Sequence, residues 1–306
     1  MSFPVIDAQL HEIPPLSTSG GRHGEEWYSV VTDVTLGWMD AVGVDLTMLN
    51  TIDRELGRWS HAHAPDRFRL VESVRSQDTA AVEEQVGMAI ADPRIAALRT
   101  SFGRNFVDPD GSLGLARFEN GEFEPTFVAC EASGMPLFVY ATGHVGKLAQ
   151  VAEAHPDLTL IVDHLGLPQP PTDTPDPSPW QRLDDLLGLA RYPKVAVKFC
   201  GALSLSREPF PHRDVWPHVG RIVDAFGANR LMWASDIGRF HGRLNRGTST
   251  SPDAHAQNDY AGKHTYADSL AFVRDTDMLD EPQKALLLGG TVQRLLRIGA
   301  PGDATP

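Results

Sequence analysis

The sequence lacks several features that mark common protein classes. Among its 306 residues there are only two cysteines, Cys130 and Cys200, which are too few for a disulfide framework. No apolar run approaches the ~18 residues that a membrane-spanning helix needs. The first residues do not combine a basic segment with an apolar one, so we expect no signal peptide. Together these absences predict a cytoplasmic protein whose thiols stay reduced.

Positive charge is also scarce. Lysine and arginine number 27 against 40 aspartates and glutamates, which gives a formal net charge of −13. We interpret this acidity as an aid to solubility, and without a basic stripe we expect a small-molecule substrate rather than nucleic acid or a membrane. Hydrophobic residues at 42% and charged residues at 22% are ordinary for a packed globular protein, which excludes a disordered or coiled-coil chain.

Short apolar runs alternate with helical patterns along the chain. Residues 79–91, for example, carry Val82, Val86 and Ile90 at four-residue spacing, which predicts one buried helical face. Alternating strands and helices predict a parallel sheet. Eight strands in this length favour an α/β fold that closes as a (β/α)8 barrel, which needs ~250 residues. The predicted strands are residues 5–9, 45–50, 68–72, 95–100, 136–141, 159–164, 194–199 and 230–235.

The connecting segments complete this picture. No Gly-x-Gly-x-x-Gly follows the first strand, which argues against a dinucleotide-binding sheet. No linker divides the chain, so residues 1–306 are expected to form one barrel domain. Loops are predicted at 101–122, 168–179 and 237–263, and the last is expected to shape specificity. The other predicted helices are residues 32–42, 145–154, 180–190, 215–226, 265–276 and 281–288.

Polar side chains stand at the predicted carboxyl ends of strands, where barrels of this type carry their chemistry. Asp236 directly follows the eighth strand, and a loop rather than a helix is expected after it. That argues against a helix-capping role and favours a general base or a metal ligand. His11 follows Gln9 by two residues, so both would share a face if the strand continues. His164 taken alone is more simply a structural residue, and strand alternation would turn its neighbour Asp163 to the opposite face.

Two basic residues end other strands and leave two interpretations open. Arg99 ends strand four and Lys198 ends strand seven. Both either bind a substrate carboxylate or extend to the rim with solvated charges. Tyr140 could stack on a substrate or donate a hydrogen bond to it, although core packing is the simpler interpretation. Cys200 is expected to be a buried structural thiol.

A set of short motifs resembles the amidohydrolase superfamily. More narrowly, it is similar to the amidohydrolase-related branch, which holds sugar lactonases, 2-pyrone-4,6-dicarboxylate lactonase and some aromatic decarboxylases. The resemblance runs from residue 5 to about 297, nearly the whole chain. The motifs that carry it are Ile6-Asp7-Ala8-Gln9-Leu10-His11, Ala64-Pro65-Asp66-Arg67-Phe68, His155-Pro156-Asp157-Leu158, Asp163-His164-Leu165-Gly166, Arg230-Leu231-Met232-Trp233-Ala234-Ser235-Asp236 and Gly289-Gly290-Thr291.

The resemblance implies a (β/α)8 barrel with hydrolysis at the strand ends. The family usually has His-x-His on strand one, histidines on strands five and six, and an aspartate on strand eight. His11, His164 and Asp236 match the second, the strand-six and the strand-eight positions. Gln9 replaces the first histidine, and strand five ends without one. His144 lies further on and is expected to open the next helix.

These departures bear on the metal that the family implies. A neutral carboxamide such as that of Gln9 is a poor zinc ligand. If one zinc or manganese ion is bound, His11, His164 and Asp236 are therefore the expected ligands. A dinuclear site is not expected. Lactonases similar to the 2-pyrone-4,6-dicarboxylate enzyme are understood to work without a metal. By that resemblance, no tightly held cofactor is favoured.

The resemblance therefore implies a hydrolase that opens a lactone, or a related carbonyl compound, bearing a carboxylate. Asp236 would be the general base with His11 and His164 as its catalytic partners, and Gln9, Arg99, Tyr140 and Lys198 would bind substrate. The alternatives are a metal-dependent decarboxylase or lyase on the same scaffold, and a non-catalytic barrel that binds a ligand. A homodimer is compatible with the sequence.

Overall fold

Eight parallel strands wrap into a single (β/α)8 barrel. The computed structural model describes residues 3–11, 24–51, 53–74, 76–102, 114–169, 178–240 and 264–299. Each strand pairs with the next in chain order, from β1 to β8. All eight predicted strands and the predicted fold class are confirmed. The strands are β1 Ile6–Leu10, β2 Leu46–Leu49, β3 Phe68–Ser73, β4 Ile95–Ser101, β5 Leu137–Tyr140, β6 Leu160–Val162, β7 Val195–Phe199 and β8 Leu231–Trp233.

Helices surround the barrel. They are α1 Glu25–Val42, α2 Arg54–His63, α3 Thr79–Ala91, α4 Gly114–Glu119, α5 Glu124–Ser133, α6 Leu148–Ala154, α7 Leu183–Leu187, α8 Trp216–Phe226, α9 Ile237–Phe240, α10 Tyr266–Arg274, α11 Glu281–Ala285 and α12 Thr291–Leu296, with a π turn at Leu286–Gly290. No helix in the described ranges is both long and apolar enough to cross a bilayer.

The helix boundaries confirm some predictions and correct others. Helix α3 has the bounds expected from its apolar spacing. Helix α1 begins at Glu25 rather than at residue 32, and the two acidic residues of its first turn, Glu25 and Glu26, suit a helix N-terminus. The predicted loops 101–122 and 237–263 are wrong in part, since α4 and α9 lie within them. The rest of loop 237–263, and residues 103–113 and 170–177, lie outside the described residues.

Side-chain alternation along the strands separates two buried layers. Residues of one parity fill the barrel interior, and those of the other parity pack against the helices. The interior is closed by a buried apolar side chain on each of the eight strands: Ile6, Met48, Val71, Ala97, Phe138, Ile161, Ala196 and Met232. The polar side chains inside the described barrel lie above this apolar layer, toward the carboxyl ends of the strands.

An aspartate side chain closes the seam between β8 and β1. The backbone N–H of Asp236 donates to the carbonyl of Gln9 at 2.9 Å. Beside it, Asp7 Oδ1 accepts from the backbone N–H of Ser235 at 2.8 Å, and Asp7 Oδ2 accepts from the Ser235 hydroxyl and, at 2.9 Å, from Tyr266. Burial outweighs these hydrogen bonds and raises the pKa of Asp7 to about 6.

The stabilising effect of Asp7 should therefore depend on pH. Because its folded-state pKa of about 6 lies above the ordinary value of 3.8, the folded protein binds this proton more tightly than the unfolded chain does. The contribution is fully present below about pH 4 and decreases by roughly 3 kcal/mol as the pH rises past about 6. Urea unfolding of wild type and Asp7→Asn across this range measures it. Parallel stability profiles of the two proteins would contradict the assignment.

Candidate active site

Four side chains from β1, β6 and β8 converge at the barrel mouth. Asp236 Oδ2 lies 3.4 Å from His164 Nε2, and Asp236 Oδ1 lies 3.8 Å from His11 Nε2. The Gln9 amide nitrogen lies 3.1 Å from His164 Nε2 and 3.4 Å from His11 Nε2. The structure thus brings together the three predicted catalytic residues and Gln9. Gln9 and His11 do share a face, as the sequence predicts.

Left-handed backbone directs two of these side chains. His164 has φ 55° and Asp236 has φ 43°, values that aspartate tolerates and most other residues avoid. The turn at His164 breaks strand alternation, so that Asp163 and His164 both face the barrel interior. The expectation that Asp163 faces the other way is therefore wrong. The expectation of a loop after Asp236 is also wrong, because α9 begins at the next residue, yet the Asp236 carboxylate is directed at the histidines.

A buried ion cluster lies beside this group. Lys198 Nζ is 2.9 Å from Asp163 Oδ1 and donates to Gln9 Oε1 at 3.0 Å. Its ammonium also stands 3.3 Å from the centre of the Phe138 ring. Arg99 Nε donates to Asp163 Oδ2 at 2.7 Å. Lys198 is fully buried, so the interpretation of a solvated rim lysine is wrong, whereas the Arg99 side chain is 16% exposed.

The charges in this cluster stabilise one another. Burial opposes the ionisation of Asp163, but Lys198 and Arg99 outweigh it and hold the pKa of that carboxyl well below its usual range. Burial lowers the pKa of Lys198 to about 8, against the opposing effect of Asp163. Burial likewise opposes the charge of Arg99, but Asp163 raises the pKa of the guanidinium. At neutral pH the cluster therefore contains one carboxylate and two cations.

Aromatic rings hold His164 in place from two sides. Tyr140 contacts its ring edge-on at a centroid distance of 5.5 Å, and Phe240 of α9 does so at 6.0 Å. The Arg99 guanidinium lies 5.6 Å from the centre of the Tyr140 ring. Tyr140 is thus placed between His164 and Arg99, where it is buried, as expected for a packing residue beside the mouth. Strand β5 has no histidine at its end, and His144 precedes the 3-10 turn Val145–Lys147 as predicted.

A glutamine links strands six and seven beneath the site. Gln169 Nε2 donates to the carbonyl oxygens of His164 and Cys200 at 3.0 and 2.9 Å. Gly201 follows with φ +70°, and a Cβ there would lie 2.0 Å from Gln169 Oε1. Glycine is thus required both by the left-handed backbone and by the close approach of Gln169.

Cys200 belongs to the site, which the sequence interpretation missed. One ligand atom each of His164, Cys200 and Asp236 lie within 4.8 Å of one another. Nitrogen, sulfur and oxygen donors are a set that suits a divalent ion, and a thiolate favours zinc over manganese. His11, expected from the sequence as a ligand, is not in this group. The signal that could have found Cys200 is its position two residues after Lys198, on the same strand face.

Acidic, basic and imidazole groups gathered at the carboxyl ends of barrel strands define a TIM-barrel enzyme. The sequence profile of the amidohydrolase family matches residues 28–298, and the chain belongs to that family. This confirms the resemblance found in the motifs and identifies the protein as an amidohydrolase-like enzyme, which argues against a non-catalytic barrel.

One curated relative and three solved structures illustrate the similarity. L-fucono-1,5-lactonase from Burkholderia ambifaria is 34% identical over 149 residues, which is 47% of this chain and 47% of the relative. The match thus spans about half of that enzyme. Among structures, a probable 2-pyrone-4,6-dicarboxylic acid hydrolase from Acinetobacter baumannii with bound citric acid has 15% identity and a TM-score of 0.64, covering 96% of this chain and 99% of its own.

Two further structures contain metals. An amidohydrolase from Burkholderia multivorans with bound zinc has 16% identity and a TM-score of 0.64, covering 97% of this chain and 100% of its own. A 5-carboxyvanillate decarboxylase from Novosphingobium aromaticivorans with manganese and 4-hydroxy-3-methoxy-5-nitrobenzoic acid has 13% identity and a TM-score of 0.60, covering 97% and 96%. At these identities the structures establish a shared fold, which hosts both hydrolases and decarboxylases.

Removing the buried ammonium should destabilise the fold. Lys198→Met keeps the side-chain length but leaves Asp163 with one of the two cations in the cluster. We expect the free energy of unfolding in urea to fall by roughly 3 kcal/mol, the low end of the range for breaking a buried pair. Lys147→Met is the matched control, since its pair with Glu119 at 2.7 Å is exposed and screened by solvent, so its loss should change the stability little. Equal losses in both variants would contradict a special role for the buried pair.

Proposed function

We propose that the protein is a hydrolase that opens a lactone, or a related carbonyl compound, bearing a carboxylate. The observation that carries this proposal is the buried Asp236 carboxylate beside the Nε2 atoms of His164 and His11 at the barrel mouth. The relative that matches half of the chain is itself a lactonase, which supports a cyclic ester as the substrate class.

In the proposed reaction, Asp236 is the general base. It takes a proton from the attacking water, whose oxygen bonds to the lactone carbonyl carbon, and returns that proton to the ring oxygen when the carbon–oxygen bond breaks. The Gln9 amide holds the rings of His11 and His164 beside the Asp236 carboxylate, so that the two rings line the position of the water. The side chain of His11 is 15% exposed while that of His164 is 1% exposed, so His11 is the imidazole that faces the substrate.

The predicted substrate-binding residues divide into two groups by depth. Arg99 is partly exposed and has its Nε on Asp163, which directs the planar guanidinium; we assign its terminal nitrogens to the substrate carboxylate. Tyr140 would form the adjoining wall. Lys198 bonds to Asp163 and Gln9, and Gln9 contacts the two imidazoles, so we assign Lys198 and Gln9 positioning roles for these groups.

A divalent ion is compatible with the site but is not part of the proposed steps. His164, Cys200 and Asp236 would hold it, and it would polarise the scissile carbonyl and acidify water. We favour turnover without a tightly held ion, because the Gln9 amide already contacts the nitrogen of His164.

Decarboxylation is the second candidate function, since a metal-dependent decarboxylase shares the fold. The two reactions differ in their products: lactone opening releases a proton, whereas decarboxylation releases carbon dioxide. A cytoplasmic location, a homodimer and one domain across residues 1–306 stay predictions.

Turnover of a panel of lactones and aromatic carboxylic acids tests the reaction class. We expect proton release without carbon dioxide, and a fall of roughly 10²–10⁴-fold in kcat for Asp236→Asn, because the base is removed while the side-chain shape is kept. Asp275→Asn is the control, an exposed aspartate paired with Arg274, and should keep full activity. Carbon dioxide release would establish the second candidate instead, and normal turnover by Asp236→Asn would refute the assigned base.

Arg99→Met tests the proposed carboxylate subsite. Losing charge-assisted hydrogen bonds should lower kcat/KM for a carboxylate-bearing lactone about tenfold or more. A neutral lactone of the same ring size is the internal control and should be affected much less, because it makes no such bonds. An equal loss for both substrates would mean that Arg99 acts only through Asp163.

A further inference from the structure

The orientation of the Gln9 side-chain amide is fixed by its neighbour. Lys198 Nζ lies 3.0 Å from Gln9 Oε1 and can only donate, since an ammonium has no acceptor. Lys198 is itself held by Asp163 at 2.9 Å and stands over the Phe138 ring. Because Gln9 is 1% exposed, turning its amide away would leave one hydrogen of this buried ammonium without an acceptor. The oxygen therefore faces Lys198.

It follows that the NH2 group of Gln9 faces both histidines. This nitrogen lies 3.1 Å from His164 Nε2 and 3.4 Å from His11 Nε2, and it carries two hydrogens. Each imidazole then accepts at Nε2, which places the ring proton of the neutral form on Nδ1.

The Nε2 lone pairs that receive these hydrogens are those directed into the site. His164 Nε2 is 3.4 Å from Asp236 Oδ2, and His11 Nε2 is 3.8 Å from Asp236 Oδ1. An imidazole nitrogen has one lone pair in the ring plane, so it cannot both accept the Gln9 hydrogen bond and coordinate a cation. Binding of a metal ion through His164 Nε2 must displace the amide.

We propose that Gln9, oriented by Lys198, is an internal competitor that lowers the affinity of the site for divalent metal ions. The donor set of His164, Cys200 and Asp236 is suited to zinc, while the amide occupies an imidazole lone pair that zinc would take. Gln9 is thus a positioning residue that holds both histidines as acceptors. The inference is independent of the substrate, because metal affinity is measured without one.

Zinc binding to the metal-depleted full-length protein tests the proposal. Isothermal titration with zinc alone would compare wild type with Gln9→Leu, which keeps the side-chain size but removes both hydrogens, and Gln9→Glu, which keeps an acceptor for Lys198. We expect zinc to bind about tenfold or more tightly to Gln9→Leu than to wild type, whereas Gln9→Glu adds a carboxylate ligand and serves only to show that the site can bind zinc. Gln85→Leu is the matched control, because this buried amide donates to the backbone of Ser73 and not to a histidine; its zinc affinity should equal that of wild type.

Nitrogen-15 spectra of the histidine rings give a second readout that a merely structural role would not change. In metal-free wild type, the neutral forms of His11 and His164 should carry the ring proton on Nδ1, and in Gln9→Leu this preference should be lost. Thermal unfolding verifies that each variant is folded, and Gln9→Ile, which also lacks the amide hydrogens and adds no metal ligand, decides the outcome if Gln9→Leu is not. Unchanged zinc affinity in folded Gln9→Leu or Gln9→Ile, or Nε2–H rings in wild type, would overturn the proposal.

Discussion

The ion pair between Lys198 and Asp163 lies inside the barrel, and the arrangement of the mouth depends on it. A lone ammonium or carboxylate at this depth would be strongly destabilising, so each requires the other. Arg99 completes the cluster and leaves it with a net positive charge. Through its remaining hydrogen bond, Lys198 fixes the amide of Gln9, and that amide in turn contacts the two imidazoles beside Asp236. The buried charges of Lys198 and Asp163 thus position the reactive groups at the barrel mouth.

Backbone conformation at two strand ends makes this convergence possible. Regular strands would turn Asp163 and His164 to opposite faces, and the left-handed residue His164 allows one to enter the ion cluster while the other meets Asp236. Asp236 also adopts a left-handed conformation, at the junction between β8 and α9. Strained backbone at functional positions is stable only when surrounding contacts determine it. Here Tyr140, Phe240 and the Gln169 hydrogen bonds supply those contacts.

Two chemistries compete for the same atoms in this site. The histidine, cysteine and aspartate donors form a set that a zinc ion can use, while the glutamine amide engages the same imidazole nitrogen by hydrogen bonding. Structures that share the fold contain zinc or manganese. In the proposed network of this chain, Gln9 sets the balance between a metal and hydrogen bonds without changing the barrel. The seam aspartate, Asp7, belongs to neither network and serves instead to join β8 to β1.

The amino-acid sequence by itself determined the barrel, because apolar runs and helical spacing are local signals and all eight strands follow from them. It also determined that Gln9, His11, His164 and Asp236 stand at strand ends, since the motifs place them there. It did not reveal the roles of Asp163 and Cys200. Strand alternation failed at His164, and the proximity of Cys200 to His164 and Asp236 depends on three strands meeting. Only the tertiary structure decided whether Lys198 is solvated or buried. A buried charge is stable only beside suitable partners, and the partners of Lys198, which are Asp163 and Gln9, are distant from it in the chain.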